Sequence, residues 1–395
     1  MKISNKLTLK TLFSFTVLYP ALLLISSCTS VDQQKLTKAL TSNNPQKALK
    51  NYVNSKKATY KKSPDLILND IRDLDKVLTQ LKKTVVNLWG KSNAQIANNK
   101  KYVKYTNRYQ SKAQVDFSTG KIKIETIAKN QPLTHLKQAI VTTLLTTDNP
   151  ADTDIFSDKD PTFSGRPYLF EQILDQDNQA IAYQWRANRF ADYLINLKLK
   201  KQWRDKRLIH YVEIEMVQSH NHLRKQKYAP YVLAAANRYQ IKSELIYAII
   251  ETESSFNPFA ISHANAYGLM QIIPSTAGKD VYQRILKKPG MPTKKILFNA
   301  KENINIGTAY LHILQQQYLK KINKEQSRHY AVISAYNGGA GNVFKTFSHN
   351  RKQAPNVINS LSSPEVYRQL TQTHPKSESR RYLYKVVTAE REYIN

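Results

Sequence analysis

The chain has a single cysteine in 395 residues. No disulfide can therefore close within one molecule, and chemistry based on paired thiols or thiolate metal cages is excluded. Long apolar runs are also missing. The strongest one, Leu12 to Ile25, is interrupted by Pro20 and is short for a bilayer-spanning helix. Acidic residues are scarce, 29 against 60 lysines and arginines, which leaves a formal net charge of +31. Such an excess points to a polyanionic partner. Nucleic acid is the usual one, but no zinc-finger spacing, RNP signature or long arginine tract accompanies the charge. There is no internal repeat and no low-complexity block. With 41% hydrophobic residues the chain can build more than one core.

What is present begins with Glu251-Thr-Glu253-Ser254-Ser-Phe256-Asn257-Pro258, followed by Gly268-Leu269-Met270-Gln271. Ser243 reads as an N-cap, Leu245, Ile246, Ile249 and Ile250 form an apolar stripe, and Pro258 bars continuation, so a helix is expected over about 244–255. Glu253 lies three residues after Ile250 and four after Ile249, over the buried stripe. Lost hydration there should raise its pKa and keep it protonated near neutrality, as a general acid requires. Glu251 points roughly 200° away around the helix and reads as a solvated face. A glutamate at an apolar boundary is also common on ordinary amphipathic helices, where its stem packs and its head reaches water.

The company of Glu253 changes that reading. Glu-Ser-x-Phe-Asn-Pro, Gly-Leu-Met-Gln-Ile-Ile-Pro-Ser-Thr-Ala at 268–277, Ala335-Tyr336-Asn337-Gly338-Gly339 and Glu378-Ser-Arg-Arg-Tyr382 occur in that order. Together they resemble the catalytic domain of lytic transglycosylases, which have a goose-type lysozyme fold. Upstream, Asn87-Leu-Trp89-Gly90, Lys101 to Tyr105, Ile124 to Ile127 and Arg189 to Tyr193 look like the membrane-bound, murein-cleaving branch of that family. Asn265 stands where the wider family usually has glycine. Asparagine tolerates left-handed backbone better than most residues.

The resemblance implies a mainly α-helical lysozyme-like domain over 218–395, preceded by an α+β domain over 65–217. Within 65–217 the pattern shows a helix from 65 to 89, with Ile67, Ile71, Leu74 and Leu78 at helical spacing. A hairpin follows, with Ala113, Val115, Phe117, Ile122 and Ile124 alternating around Ser118-Thr-Gly120. Leu133, Leu136, Ile140 and Leu144 mark another helix, a further one covers 186–200, and Val212, Ile214 and Met216 suggest a return strand. Downstream helices are expected at Tyr228–Tyr239, Ile304–Tyr318 and Arg328–Tyr336, the last ended by Gly338-Gly339. Asp152, Asp154, Asp158 and Asp160 lack the glycine and glutamate of a calcium loop. His220-Asn-His222 lacks the spacing of a metal pair and reads as linker, so no metal or other cofactor is expected.

At the amino terminus Lys2, Lys6 and Lys10 precede the apolar run, and Ile25-Ser26-Ser27-Cys28 resembles a bacterial lipobox. This implies a signal peptide over 1–27, a lipidated Cys28 carrying palmitate-type acyl chains, and a polar, lysine-rich tether over 28–64. Thr29 after the cysteine favours the periplasmic face of the outer membrane. Removing residues 1–27 takes away three lysines and no acids and leaves +28. Anionic peptidoglycan and phosphorylated membrane surfaces are then the natural partners, with no role for nucleic acid, and no oligomeric state is specified.

A glycosidase ordinarily uses two carboxylates. The helical region offers one, Glu253. The resemblance implies that the N-acetyl group of muramic acid assists bond cleavage and that its own 6-hydroxyl then attacks, releasing a 1,6-anhydromuramyl product without water. It further implies that Ser262 and Gln271 hydrogen-bond the acetamido sugar, that Met270 packs on the sugar or supports the turn, and that Tyr336, Asn337 and Tyr382 orient Glu253 or the acetamide. Two other readings stay open on the residues: a hydrolytic lysozyme on the same fold, and a catalytically inactive wall-binding lipoprotein.

Overall fold

A helix, α1, opens the computed structural model, which describes residues 79–393 apart from 151, 152, 154, 156, 162, 164 and 263. Cys28, the tether, the first part of the 65–89 helix and two of the four aspartates named above lie outside the described residues. α1 covers 79–89 and stops at Gly90, whose φ of +79° is left-handed. Five strands follow: β1 (Lys101–Thr106), β2 (Ser111–Asp116), β3 (Lys121–Thr126), β4 (Lys200–Arg204) and β5 (Arg207–Glu215). They form one antiparallel sheet in the order β1-β2-β3-β5-β4. The β2–β3 hairpin turns at Gly120, with φ +70°, in register Asp116 to Lys121.

Between β3 and β4 run α2 (Pro132–Leu145) and α3 (Gln184–Lys198). Leu136, Ile140 and Leu144 of α2 are buried as the spacing requires, whereas Leu133 is exposed. The sheet is covered on both faces. Leu81, Val85 and Trp89 of α1 pack against Val103, Tyr105 and Ile209. Val115, Ile122, Ile124, Val212 and Ile214 face α2 and α3. Within the layer under α1 lies a buried charge cluster: Lys112 and Lys123 reach Glu125 at 2.9 and 2.7 Å, and Lys112 stands 4.4 Å above the Trp89 ring.

The remainder is helical: α4 (His220–Tyr239), α5 (Ser243–Ser254), α6 (Lys279–Arg284), α7 (Lys294–Leu297), α8 (Ala300–Ile313), α9 (Glu325–Gly338), α10 (Ala340–Phe347), α11 (Ala354–Ser360), α12 (Ser363–Gln372) and α13 (Ser377–Arg391). α8 runs on into a π-turn at Leu314–Tyr318, so the helical stretch ends where expected. α4 begins earlier than its apolar pattern. His220 and His222, read as linker, form its first turn, and His220 packs over the bare face of Gly120. Ser243 is likewise the first residue of α5 rather than its cap: Lys242 precedes the helix, and the Ser243 hydroxyl bonds Glu244 instead.

The described residues fall in one compact unit, and a single hydrophobic core crosses from sheet to helices. Phe259, just after α5, lies 4.7 Å from the Tyr102 ring and 5.1 Å from Tyr168. Buried Arg224 of α4 donates to the Phe117 carbonyl at 2.7 Å. The expected boundary at 217/218 thus separates β5 from α4 along the chain without interrupting the packing.

Candidate active site

Glu253 sits in the last turn of α5, above Ile249 and Ile250, both fully buried. The chain leaves the helix through two left-handed residues, Ser255 and Phe256, with φ of 49° and 60°. Glu253 keeps partial solvent exposure, yet protein crowds its carboxyl. Burial is the main cause that raises its pKa to about 7, the nearby Glu378 carboxylate adds to it, and Tyr382 and Lys100 act in the opposite sense. A carboxyl tuned to neutrality can give up a proton and take one back.

The turn facing α5 is held by side chains that the motifs do not announce. Asn303 of α8, buried, accepts from the Met270 N–H at 2.8 Å and donates to the Tyr267 and Leu297 carbonyls at 2.8 and 2.9 Å. Ser254 donates to the Leu269 carbonyl at 2.8 Å and so ties the helix to the turn. Gly268 has φ +75°, and a Cβ there would meet Asn303 Nδ2 and the Leu297 oxygen at 2.4 Å each. Asn265 adopts φ +56°, so asparagine makes the left-handed turn. A polar residue on the buried face of α8, beside Ile304, Ile306 and Gly307, was the available signal for Asn303.

The candidate residues divide. Tyr382 is buried, and its hydroxyl, without a hydrogen-bond partner of normal geometry, faces Glu253; burial first and the Glu253 charge second raise its pKa far above the phenolic range. Tyr336 donates to the Met270 carbonyl at 2.8 Å and feels the Glu253 charge. Gln271 donates from Nε2 to the Gly268 carbonyl at 2.9 Å, leaving Oε1 unpartnered. The Ser262 hydroxyl accepts from the N–H groups of Ala264 and Ala266 at 3.2 Å and retains its own proton for donation.

Three side chains make contacts narrower than, or different from, those expected. Met270 is fully buried with its sulfur against Gly307, so its side chain supports the turn and does not line an open surface. Asn337 accepts from Ser379 at 2.6 Å and reaches Glu378 at 3.4 Å, orienting α13 rather than Glu253 itself. Glu251 is not a solvated face: it is half-buried and accepts from the Tyr393 hydroxyl at 2.8 Å.

A crevice of about 720 Å³ between the starts of α5 and α9 and the end of α13 contains none of the motif residues. Its buried acid, Glu390, is bonded to His329 at 2.8 Å. Chemistry rather than volume therefore singles out the Glu253 site.

Comparison with known proteins gives this arrangement a family. Residues 230–359 match the family described as Transglycosylase SLT domain, which makes the helical portion a lysozyme-like lytic transglycosylase domain. Residues 67–227 match the family described as Membrane-bound lytic murein transglycosylase C, N-terminal domain. The membrane-bound lytic murein transglycosylase C of Serratia proteamaculans (strain 568) is 44% identical over 330 residues, 83% of this chain and 92% of that protein. The chain belongs to the membrane-bound lytic murein transglycosylase C family. Among solved structures it is similar to an inactive variant of the lytic transglycosylase Slt from Pseudomonas aeruginosa, at 25% identity and TM-score 0.32 over 42% of this chain and 23% of that one. It is also similar to the 70-kDa soluble lytic transglycosylase from Escherichia coli, at 16% identity and TM-score 0.34 over 95% of this chain and 52% of that one. The chain spans about half or less of the length of these two solved relatives.

Proposed function

We propose that the protein cleaves the β-1,4 bond between N-acetylmuramic acid and N-acetylglucosamine in peptidoglycan without water, with Glu253 making both proton transfers. The observation that carries this is the placement of the Glu253 carboxyl over the buried end of α5 with the Tyr382 hydroxyl facing it, burial there raising the Glu253 pKa to about 7. Protonated Glu253 gives its proton to the glycosidic oxygen while the N-acetyl oxygen of the muramic residue closes on C1. The resulting carboxylate then removes the proton of the muramic 6-hydroxyl, which attacks C1, displaces the N-acetyl oxygen to restore the acetamide, and forms the 1,6-anhydro ring. Tyr382 steadies the carboxylate between the two steps. The free Gln271 Oε1 suits the acetamido N–H, the Ser262 hydroxyl suits its carbonyl, and Tyr336 fixes the turn that carries Gln271.

Residues 1–27 serve as a signal peptide in this reading, Cys28 carries the lipid that anchors the chain to the outer membrane, and 28–64 is a tether. The 65–217 region and the 218–395 region then work at the periplasmic face on the anionic wall, which the net positive charge favours. The relative's membrane-bound name supports the coarser part of this placement.

Glu378 favours a second reading. It lies near enough to Glu253 to raise its pKa, and a second carboxylate in a glycosidase can activate water. Digestion of glycan strands in ¹⁸O-labelled water separates the two. Unlabelled anhydromuropeptides are expected, and ¹⁸O-labelled reducing ends as the main product would make the enzyme a lysozyme.

A further inference from the structure

The segment between α1 and β1 delivers a cation to the end of α5 that none of the motifs contains. Asn98 Oδ1 accepts from the N–H groups of Lys100 and Lys101 at 2.9 Å each, folding the segment into a tight turn. Asn99 Nδ2 donates to the Glu253 carbonyl at 2.8 Å. Fully buried Asn257 donates back to the Asn99 carbonyl at 3.1 Å. The Lys100 carbonyl in turn accepts from the Phe117 N–H at 3.0 Å. Lys100 is thereby stapled on both sides, directly beside the turn that leaves Glu253.

Its side chain is half-buried. Among the described residues its ammonium has neither an ion pair nor a hydrogen bond. Burial and then the Lys385 charge lower its pKa, and Glu251, Glu253 and Asp116 pull against them. None of those acids completes a pair with it. Glu251 is bonded to Tyr393, Glu253 is held near half-protonation, and Asp116 binds Lys101 at 3.1 Å. Nearby lysines of the sheet are engaged, Lys112 and Lys123 with Glu125. An ammonium partly withdrawn from water and lacking a counterion binds an arriving anion more strongly than an exposed one does. A murein strand carries such anions on the peptides attached to its muramic residues.

We propose that Lys100 is a specificity-determining residue that pairs with a carboxylate of the peptide stem beside the bond being cut. The sheet region then reads the peptide while the helical region cuts the sugar. This rests on murein being the substrate.

The test uses the full chain, as wild type and as Lys100→Ala, Lys100→Arg and Lys100→Glu. Each acts on native strands and on strands whose peptide carboxylates have been converted to neutral methylamides. Lys100→Ala should lower kcat/KM on native strands about tenfold, mainly through KM, with a much smaller change on neutralised strands that is confined to the alkaline limb set by Glu253. Lys100→Arg should retain most of the preference, and Lys100→Glu should lose more than alanine. Equal losses on both substrates, or no loss on either, with unchanged thermal unfolding, would overturn the proposal while leaving the murein reading in place. Failure of the wild type on both substrates would overturn the murein reading and the proposal with it.

Discussion

The hydroxyl of Tyr393 donates to the carboxylate of Glu251 at 2.8 Å, across 142 residues of sequence. Tyr393 also stacks on Tyr247 at 5.3 Å, with Lys225 lying 4.3 Å over its ring. Two glutamates two positions apart on α5 are thus put to different uses: Glu251 locks Tyr393 onto the helix, and Glu253 faces Tyr382 in the cleft.

Substituting each in turn separates the two roles. Glu251→Gln keeps an acceptor for Tyr393 and should retain activity at a cost of about 1 kcal/mol in unfolding free energy. Glu253→Gln should lower the lytic rate by roughly 10²–10⁴ or more. Dye release from labelled sacculi, together with denaturant unfolding, reads both effects.

The Glu253 substitution should also stabilise. Its folded pKa of about 7 lies above the ordinary glutamate value of 4.5, so between those values the folded protein binds a proton that the unfolded chain does not. Stability contributed by this group therefore falls as pH rises through that window and stays low above it. Glu253→Gln removes the penalty and should add up to about 2–3 kcal/mol at pH 8, with little gain at pH 4.

The pH–rate profile follows from the same environment. Cleavage needs protonated Glu253 first, so kcat/KM should fall on the alkaline side with an apparent pKa near 7. Tyr382→Phe removes a hydroxyl that favours the carboxylate and should move that limb up by ~0.5 unit or more; Glu378→Gln removes a repelling charge and should move it down. Unmoved limbs in both variants would dissociate the limb from Glu253.

Gly268→Ala should be poorly tolerated. The left-handed backbone and the 2.4 Å approach to Asn303 and the Leu297 carbonyl leave no room for a methyl group. A loss of about 2–4 kcal/mol is expected, with activity falling further than stability because the Gln271 turn shifts.

In the sheet, Glu125→Gln should cost about 3–5 kcal/mol, since it leaves Lys112 buried without its partner. Burial alone would raise the Glu125 pKa, but Lys112 and Lys123 hold it below the ordinary value. Its stabilisation is present above the unfolded carboxylate pKa and is lost as pH falls through the folded one, so the variant should show a flatter loss of stability under acid, read by circular dichroism.

Much of this was legible in residue order. The α5 stripe, the β2–β3 hairpin and the α9 stop at Gly338-Gly339 follow from local periodicity and turn chemistry, and local spacing likewise put Glu253 over a buried face. What escaped was tertiary. β1 buries residues of both faces, Tyr102 toward Phe259 and Val103 and Tyr105 toward α1, so it shows no clean alternation; β4, Lys-Lys-Gln-Trp-Arg, is largely exposed and shows no apolar signal. The polar start of α4 hid its first turns. Whether Met270 met sugar or core depended on Gly307, a bare helix face 37 residues away. The Glu251 contact and the placement of Lys100 depend on residues distant in sequence that no local pattern could name.

The aromatic contact of Phe259 with Tyr102 and Tyr168 has a bearing on how this protein can be re-engineered. A fusion junction or protease site placed near residue 218 would cut between rings that shield one another, and each severed half would present a sticky, water-facing aromatic surface. Chimeras that exchange the cutting half should therefore carry the sheet with it, as one transplantable block, and a half expressed alone is expected to collect in inclusion bodies.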